Sequence, residues 1–142
     1  MKLSTRSRYG LKAVVDIAAF GNDKCVSINS VASRIGVSEN YLEQLIIKLK
    51  KSGILKSVRG AQGGYTLGMD ATDITVGRIL NILEGPLYPV DCLDRNSSCG
   101  EGSCKPCVTR PVWEKIYLSI TDVVDSITIA DLVKDYDAEL TS

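Results

Sequence analysis

Four cysteines fall within sixteen residues: Cys92, Cys99, Cys104 and Cys107, separated by six, four and two residues. A thiolate is a soft anionic ligand, so four of them together suit zinc or an iron–sulfur unit. Gly100, Gly102 and Pro106 allow the bends that turn several sulfurs toward one centre. The chain has no histidine, so a site made of protein ligands must use cysteine, with Asp91, Asp94 and Glu101 as the nearby carboxylates. A structural zinc site usually shows two C-x-x-C pairs, and here only Cys104/Cys107 forms one. The irregular spacing favours a cluster. A redox-active C-x-x-C at Cys104/Cys107 stays open as an alternative, although such a motif usually opens a helix beside a βαβ pattern, and none is visible. Four inert thiols are the plainest reading, but exposed thiols are reactive, so ligation is favoured. Cys25 lies apart from the others and reads as a small buried apolar residue.

The segment that carries these thiols has no helical period and contains most of the prolines, so it reads as a long loop with a reason to be long. Helices flank it. Upstream, residues 74–85 repeat Ile79, Leu80, Ile82 and Leu83 before Gly85-Pro86. Downstream, residues 111–126 carry a stripe of Trp113, Ile116, Tyr117, Ile120, Val123, Val124 and Ile127. Thr128 and Asp131 then resemble a capping box that opens a last short helix. The stripe either folds back on its own domain or pairs with a second chain. The preceding residues already hold enough apolar side chains for a core, so a homodimer is favoured.

Those preceding residues begin with an amphipathic helix over 6–20, stopped by Gly21. Ser27 can cap a second helix with Val31, Ala32 and Ile35 on its apolar face. Gly36 makes the turn, and Ser38 caps a third helix, running to about Ser52, whose apolar face is Leu42, Leu45, Ile46 and Leu49. A capped helix, a glycine turn and a second capped helix form the helix-turn-helix pattern. Helical hairpins are common, so the pair alone decides little. Residues 54–60 and 64–68 then read as two strands with the Gly-rich tip Arg59-Gly60-Ala61-Gln62-Gly63-Gly64. A hairpin directly after a candidate recognition helix is a wing, and Arg59 is placed to enter a minor groove. The third helix offers Glu39, Asn40, Tyr41, Glu43, Gln44 and Lys48 to base edges or phosphates.

Charge divides along the same line. The 142 residues carry 17 basic and 17 acidic side chains. Residues 1–68 hold eleven basic against four acidic, a net +7, and the rest of the chain is −7. A basic half that carries a folded motif is the footprint of a nucleic-acid binder. The expected fold class is mainly α with a small β-hairpin wing. The divisions are 1–68 for the winged helix-turn-helix, 69–91 for a connecting helix and linker, 92–107 for the cysteine loop, and 108–142 for the dimerisation helix and C-terminal short helix. No signal peptide or membrane-length apolar run is visible, so the expected location is the cytoplasm, with no membrane partner. No acid–base constellation or nucleotide-binding loop appears, so an enzyme is not expected.

Four stretches resemble the IscR/NsrR/CymR family of winged-helix regulators: RYGLKAVVDIA, VSENYLEQLIIKLKKSGIL, VRGAQGGYTLG and ITIADLV. The resemblance covers essentially the whole chain. It implies a homodimer that binds palindromic double-stranded promoter DNA and represses or activates transcription. It implies DNA contacts from Ser38, Asn40, Tyr41 and Gln44, from Arg59 and Gly60 in the wing, and from Glu43 as a residue that tunes operator choice. A carboxylate accepts from cytosine N4 and repels phosphate, which penalises wrong sites. In the IscR branch, three loop cysteines and a histidine hold a [2Fe–2S] cluster, and the regulated genes serve iron–sulfur biogenesis. Cys92, Cys99 and Cys104 match those cysteines with the internal spacing shifted by one, and Cys107 stands in the place of the histidine. All-cysteine ligation implies a lower potential. A [4Fe–4S] cluster of the NsrR kind takes an acid near the partner's N-terminus, and Thr5 to Gly10 contains none. The expected cofactor is therefore a [2Fe–2S] cluster, with [4Fe–4S] or zinc as alternatives.

Overall fold

The computed structural model describes residues 2–22, 24–94 and 108–141. Helix α1 (Thr5–Phe20) starts at Ser4, whose hydroxyl accepts the Ser7 N–H, and ends at Gly21. Helix α2 (Ile28–Ile35) is capped by Ser27. It ends at Gly36, which takes a left-handed conformation (φ 78°) and donates its N–H to the Ala32 carbonyl. A side chain there would be strained, so the turn depends on glycine. Helix α3 (Glu39–Lys51) follows, with the Ser38 hydroxyl accepting from the Tyr41 N–H at 3.2 Å. Each cap is a local interaction, which is why serine at these points predicts the boundaries.

Strands β1 (Leu55–Val58) and β2 (Gly64–Leu67) pair antiparallel, with Leu55 opposite Leu67 and Val58 opposite Gly64. The hairpin is also tied to the loop between α1 and α2. Val26 and Tyr65 exchange both backbone hydrogen bonds at 2.8 Å. A short 3₁₀ turn (Ala71–Asp73) leads to α4 (Val76–Glu84), and a second one (Asp91–Leu93) contains the first of the clustered cysteines. Helix α5 spans Arg110–Ser126 and α6 spans Ile129–Thr141.

One apolar core joins these elements. It contains Ala13, Val14 and Ile17 of α1, Val31 of α2, Leu42, Leu45, Ile46 and Leu49 of α3, Leu55 of the wing, Ile79 and Leu83 of α4, and Ile129 of α6. The junction between α5 and α6 is stitched to the segment before α4: Val76 donates to the Ile127 carbonyl at 2.9 Å and Ile129 to the Ile74 carbonyl at 2.8 Å. The expected capping box is formed, with Thr128 N–H on the Asp131 carboxylate at 3.0 Å and Asp131 N–H on the Thr128 hydroxyl at 3.2 Å. The last helix is longer than the expected short one. Its length follows from packing along α1, where Phe20 meets Tyr136 edge-on (centroids 5.9 Å apart) and Leu132 and Val133 lie against the core.

Helices α1 and α2 are locked by an ion pair. The Arg34 guanidinium donates two hydrogen bonds of 2.8 Å to Asp16, which is 5% exposed, and stacks over the Phe20 ring at 4.1 Å. The Asp16 hydrogen bond holds Arg34 in its charged form against the cost of burial and raises its pKa above the ordinary arginine value.

Candidate nucleic-acid interface and cysteine stretch

Helix α3 is amphipathic with a sharp division. Leu42, Leu45, Ile46 and Leu49 are buried, while Asn40, Glu43, Gln44, Ile47, Lys48 and Lys51 are exposed at i, i+3, i+4, i+7, i+8 and i+11. This second set is one face of the helix. Ser38 spends its hydroxyl on the cap. Glu39 is held across the helix-turn-helix by Asn29, whose amide donates to its carboxylate at 2.5 Å. That leaves Glu43 as the exposed carboxylate within the stripe.

Tyr41 differs from the others. Its ring is half-buried and stands edge-on to Tyr9 of α1, 6.2 Å between centroids. The sequence places it on the polar face, but position 41 lies at the edge of that face, and an aromatic ring there gains more by packing on α1. Ile47 and Lys51 belong to the exposed stripe and were not among the expected residues. The signal available was their spacing of seven and eleven from Asn40.

The wing carries Arg59 and Gly60 at its tip, both exposed. Gly60 has φ 118°, a conformation closed to other residues without strain, and its carbonyl accepts from Gly63 N–H at 2.9 Å to close the turn. Arg59 makes no ion pair among the described residues. Cys25 is not the buried apolar residue expected. It is half-exposed, and its thiol donates to the Gln62 carbonyl in the wing tip at 2.8 Å. The Val26–Tyr65 pairing draws this part of the chain against the hairpin, which sequence distance conceals.

A helix-turn-helix followed by a wing, tied back to its own first loop, is the architecture of a winged-helix regulator. The profile of the Rrf2 family, described as "Iron-dependent Transcriptional regulator", matches residues 3–135. The chain belongs to the Rrf2 family. It is 42% identical over 135 residues to Protein rrf2 of Nitratidesulfovibrio vulgaris, covering 95% of this chain and 89% of that one. It is 38% identical over 139 residues to the HTH-type transcriptional regulator CymR of Bacillus subtilis, covering 98% and 94%. Among solved structures it resembles T. potens IscR with a TM-score of 0.79 at 46% identity, over 96% of this chain and 88% of that one. This Rrf2 chain is therefore a winged-helix, DNA-binding transcription regulator and not an enzyme.

Of the four clustered cysteines in this regulator, Cys92 is described, and Cys99, Cys104 and Cys107 lie outside the described residues. Cys92 is half-exposed in the 3₁₀ turn Asp91–Leu93. Its carbonyl accepts a 3.0 Å hydrogen bond from Arg110, the first residue of α5, and Arg110 also pairs with Glu114 at 3.0 Å. Just upstream, Tyr88 lies against Tyr117 of α5, with ring centroids 4.8 Å apart. Both contacts root the start of the cysteine stretch on α5. Among the described residues no group of three or more potential ligands comes together, and only one of the four cysteines is within that set.

The apolar stripe expected on α5 is divided in two. Trp113, Tyr117, Ile120 and Val124 are half-buried, on the side that meets α4. Val112, Ile116 and Val123 are exposed, and no residue of α5 is buried. No helix among the described residues is long and apolar enough to cross a membrane.

Proposed function

We propose that this regulator is a homodimer that binds palindromic promoter DNA and reports iron–sulfur status through a cluster held by Cys92, Cys99, Cys104 and Cys107. The carrying observation is the donor set: four thiols in sixteen residues and no histidine in the chain, with the first of them, Cys92, tied to Arg110 at the start of α5. Thiolates fit an iron–sulfur unit, and four of them complete a [2Fe–2S] ligand set without a partner group. When bound, the cluster supplies a centre that is gained or lost with iron, sulfide and oxidant.

The DNA-reading set is Asn40, Glu43 and Gln44 on the open face of α3, Ser38 at its cap and Tyr41 at the edge of that face, with Arg59 and Gly60 in the wing. Recognition helices enter the major groove with their N-terminal residues on base edges, and paired half-sites mirror the two-fold axis. Exposed Val112, Ile116 and Val123 offer α5 to a second copy. Arg110 and Tyr117 connect the cysteine stretch to that same helix, so ordering the stretch can favour one dimer geometry and one spacing of the two recognition helices. The similarity to IscR points to iron–sulfur biogenesis genes as the regulated set and to the cytoplasm, where thiols stay reduced.

Anaerobic purification tests the cofactor. The expected product is coloured, with visible absorbance, iron and acid-labile sulfide, and it binds an operator with a different affinity from the apo dimer. A colourless protein with one zinc per chain replaces the reading with a zinc-stabilised regulator. A metal-free protein that forms a reversible Cys104–Cys107 disulfide replaces it with a thiol switch. Equal affinity of holo and apo dimers for every tested operator removes the sensing role.

A further inference from the structure

The exposed stripe of α3 contains one apolar residue. Ile47 is 53% exposed, and it lies between Asn40, Glu43 and Gln44 on one side and Lys48 and Lys51 on the other. A lone exposed isoleucine on an arbitrary surface requires no explanation. This one sits inside the face that a winged helix presents to the major groove, two turns from the N-terminus of the helix. The helix does not need it there for folding, since Leu42, Leu45, Ile46 and Leu49 make the buried face. The neighbouring charges suit DNA: Lys48 and Lys51, which follow Ile47 along the stripe, can hold phosphates while Ile47 faces the bases.

In the major groove, adenine, guanine and cytosine show hydrogen-bonding groups, and thymine alone adds a C5-methyl. A branched aliphatic side chain has nothing to offer a donor or acceptor and would leave it unpaired. It can cover a methyl group. We propose that Ile47 is a specificity-determining residue that reads a thymine methyl in each half-site. Asn40 and Gln44 then supply polar readout earlier in the helix, Glu43 supplies exclusion, and Ile47 supplies apolar readout one turn later. The inference rests on the DNA-binding reading of α3.

The test separates the two. Wild-type protein first selects its preferred duplex from a random pool. Each thymine of that duplex is then replaced by deoxyuridine, which removes only the methyl, and binding is measured at fixed salt for wild type, Ile47→Ala and Ile47→Val. One thymine per half-site should weaken wild-type binding about four-fold when its methyl is removed, the equivalent of one buried carbon. Ile47→Ala should bind the thymine duplex more weakly and be indifferent to that replacement, while Ile47→Val should keep most of the discrimination. The valine variant also carries the test if the alanine variant does not fold. Wild-type indifference at every position overturns the inference, as does an Ile47→Ala variant with undiminished discrimination. Loss of the dimer in Ile47→Ala with unchanged discrimination assigns the residue to a chain–chain contact and overturns it too. A protein that enriches no sequence overturns the DNA-binding reading, and this inference with it.

Discussion

Helix α3 has 13 residues and buries four of them; helix α5 has 17 and buries none. Both are amphipathic. In α3 the chain itself covers the apolar face with α1, α4 and the wing, and what remains exposed is mostly polar and charged. In α5 the chain covers one side only, and the other exposes Val112, Ile116 and Val123. The same device, an apolar stripe at helical spacing, thus ends in two different surfaces. A finished core with a polar face suits nucleic acid. An unfinished apolar face suits another protein surface, which a second copy would supply with matching symmetry in the proposed dimer.

The largest effect should come from cutting into the finished side. Leu49 is fully buried beneath α3. Leu49→Ala should cost about 2–5 kcal/mol of folding stability, because the surrounding helices cannot close the cavity. Chemical denaturation measures it, and a loss below about 1 kcal/mol would show that the winged core is looser than its burial implies. On the unfinished side, the combined change Ile116→Glu and Val123→Glu should leave helical content intact and shift the proposed dimer to monomer. Removing two apolar contacts of about 1.5 kcal/mol each corresponds to a loss of at least about 100-fold in dimer affinity. Sedimentation measures that. An unchanged dimer would place the interface elsewhere and break the contrast between the helices.

How much of this could be read in advance follows from distance along the chain. Ser27, Ser38 and the Thr128–Asp131 box are local, and each was legible because a cap acts within three residues. The strands flanking the Gly-rich tip were legible from the turn itself. The Val26–Tyr65 pairing joins residues 39 apart and has no local signature, so the position of Cys25 against the wing was hidden. The length of α6 was hidden for the same reason, since Phe20 of α1 stabilises it from outside the segment through Tyr136. The stripe on α5 was legible as a stripe. Its division into an α4-facing side and an exposed side depends on where α4 lies. For the candidate sites, residue types and spacing located α3, the wing and the thiols, but only the packed structure shows Tyr41 turned toward Tyr9 and Ile47 left on the open face.

The polar surface of the finished half can be tested apart from its core. Arg59→Ala should leave stability unchanged, since the side chain is exposed and makes no ion pair among the described residues. It should weaken operator binding by about 1–3 kcal/mol at fixed salt. A smaller loss, spread equally over all sequences, would reduce Arg59 from a groove contact to a phosphate contact.

The smallest effect is expected at the seam between the two regions. Glu84 is the last residue of α4, in the segment expected to connect the winged half to the cysteine stretch, and its carboxylate accepts the N–H of Ser4 at the start of α1. Burial disfavours its charge, but the hydrogen bonds from Ser4 and the nearby Arg6 outweigh that, and its pKa lies below the ordinary glutamate value. A carboxyl whose pKa falls on folding contributes stability that is present above its unfolded pKa, near 4.3, and lost as pH drops through the lower folded value. Glu84→Gln should therefore cost about 1 kcal/mol or less at pH 7, where the charge-assisted bond is lost. The difference from wild type should shrink as pH falls through the lowered folded value, where the wild-type carboxyl becomes protonated as well. Denaturation at neutral and acid pH checks both halves of the expectation. A difference that stays constant with pH would mean that the glutamate holds α1 by shape and not by charge. The start of α1 would then be secured by its Ser4 cap and by packing.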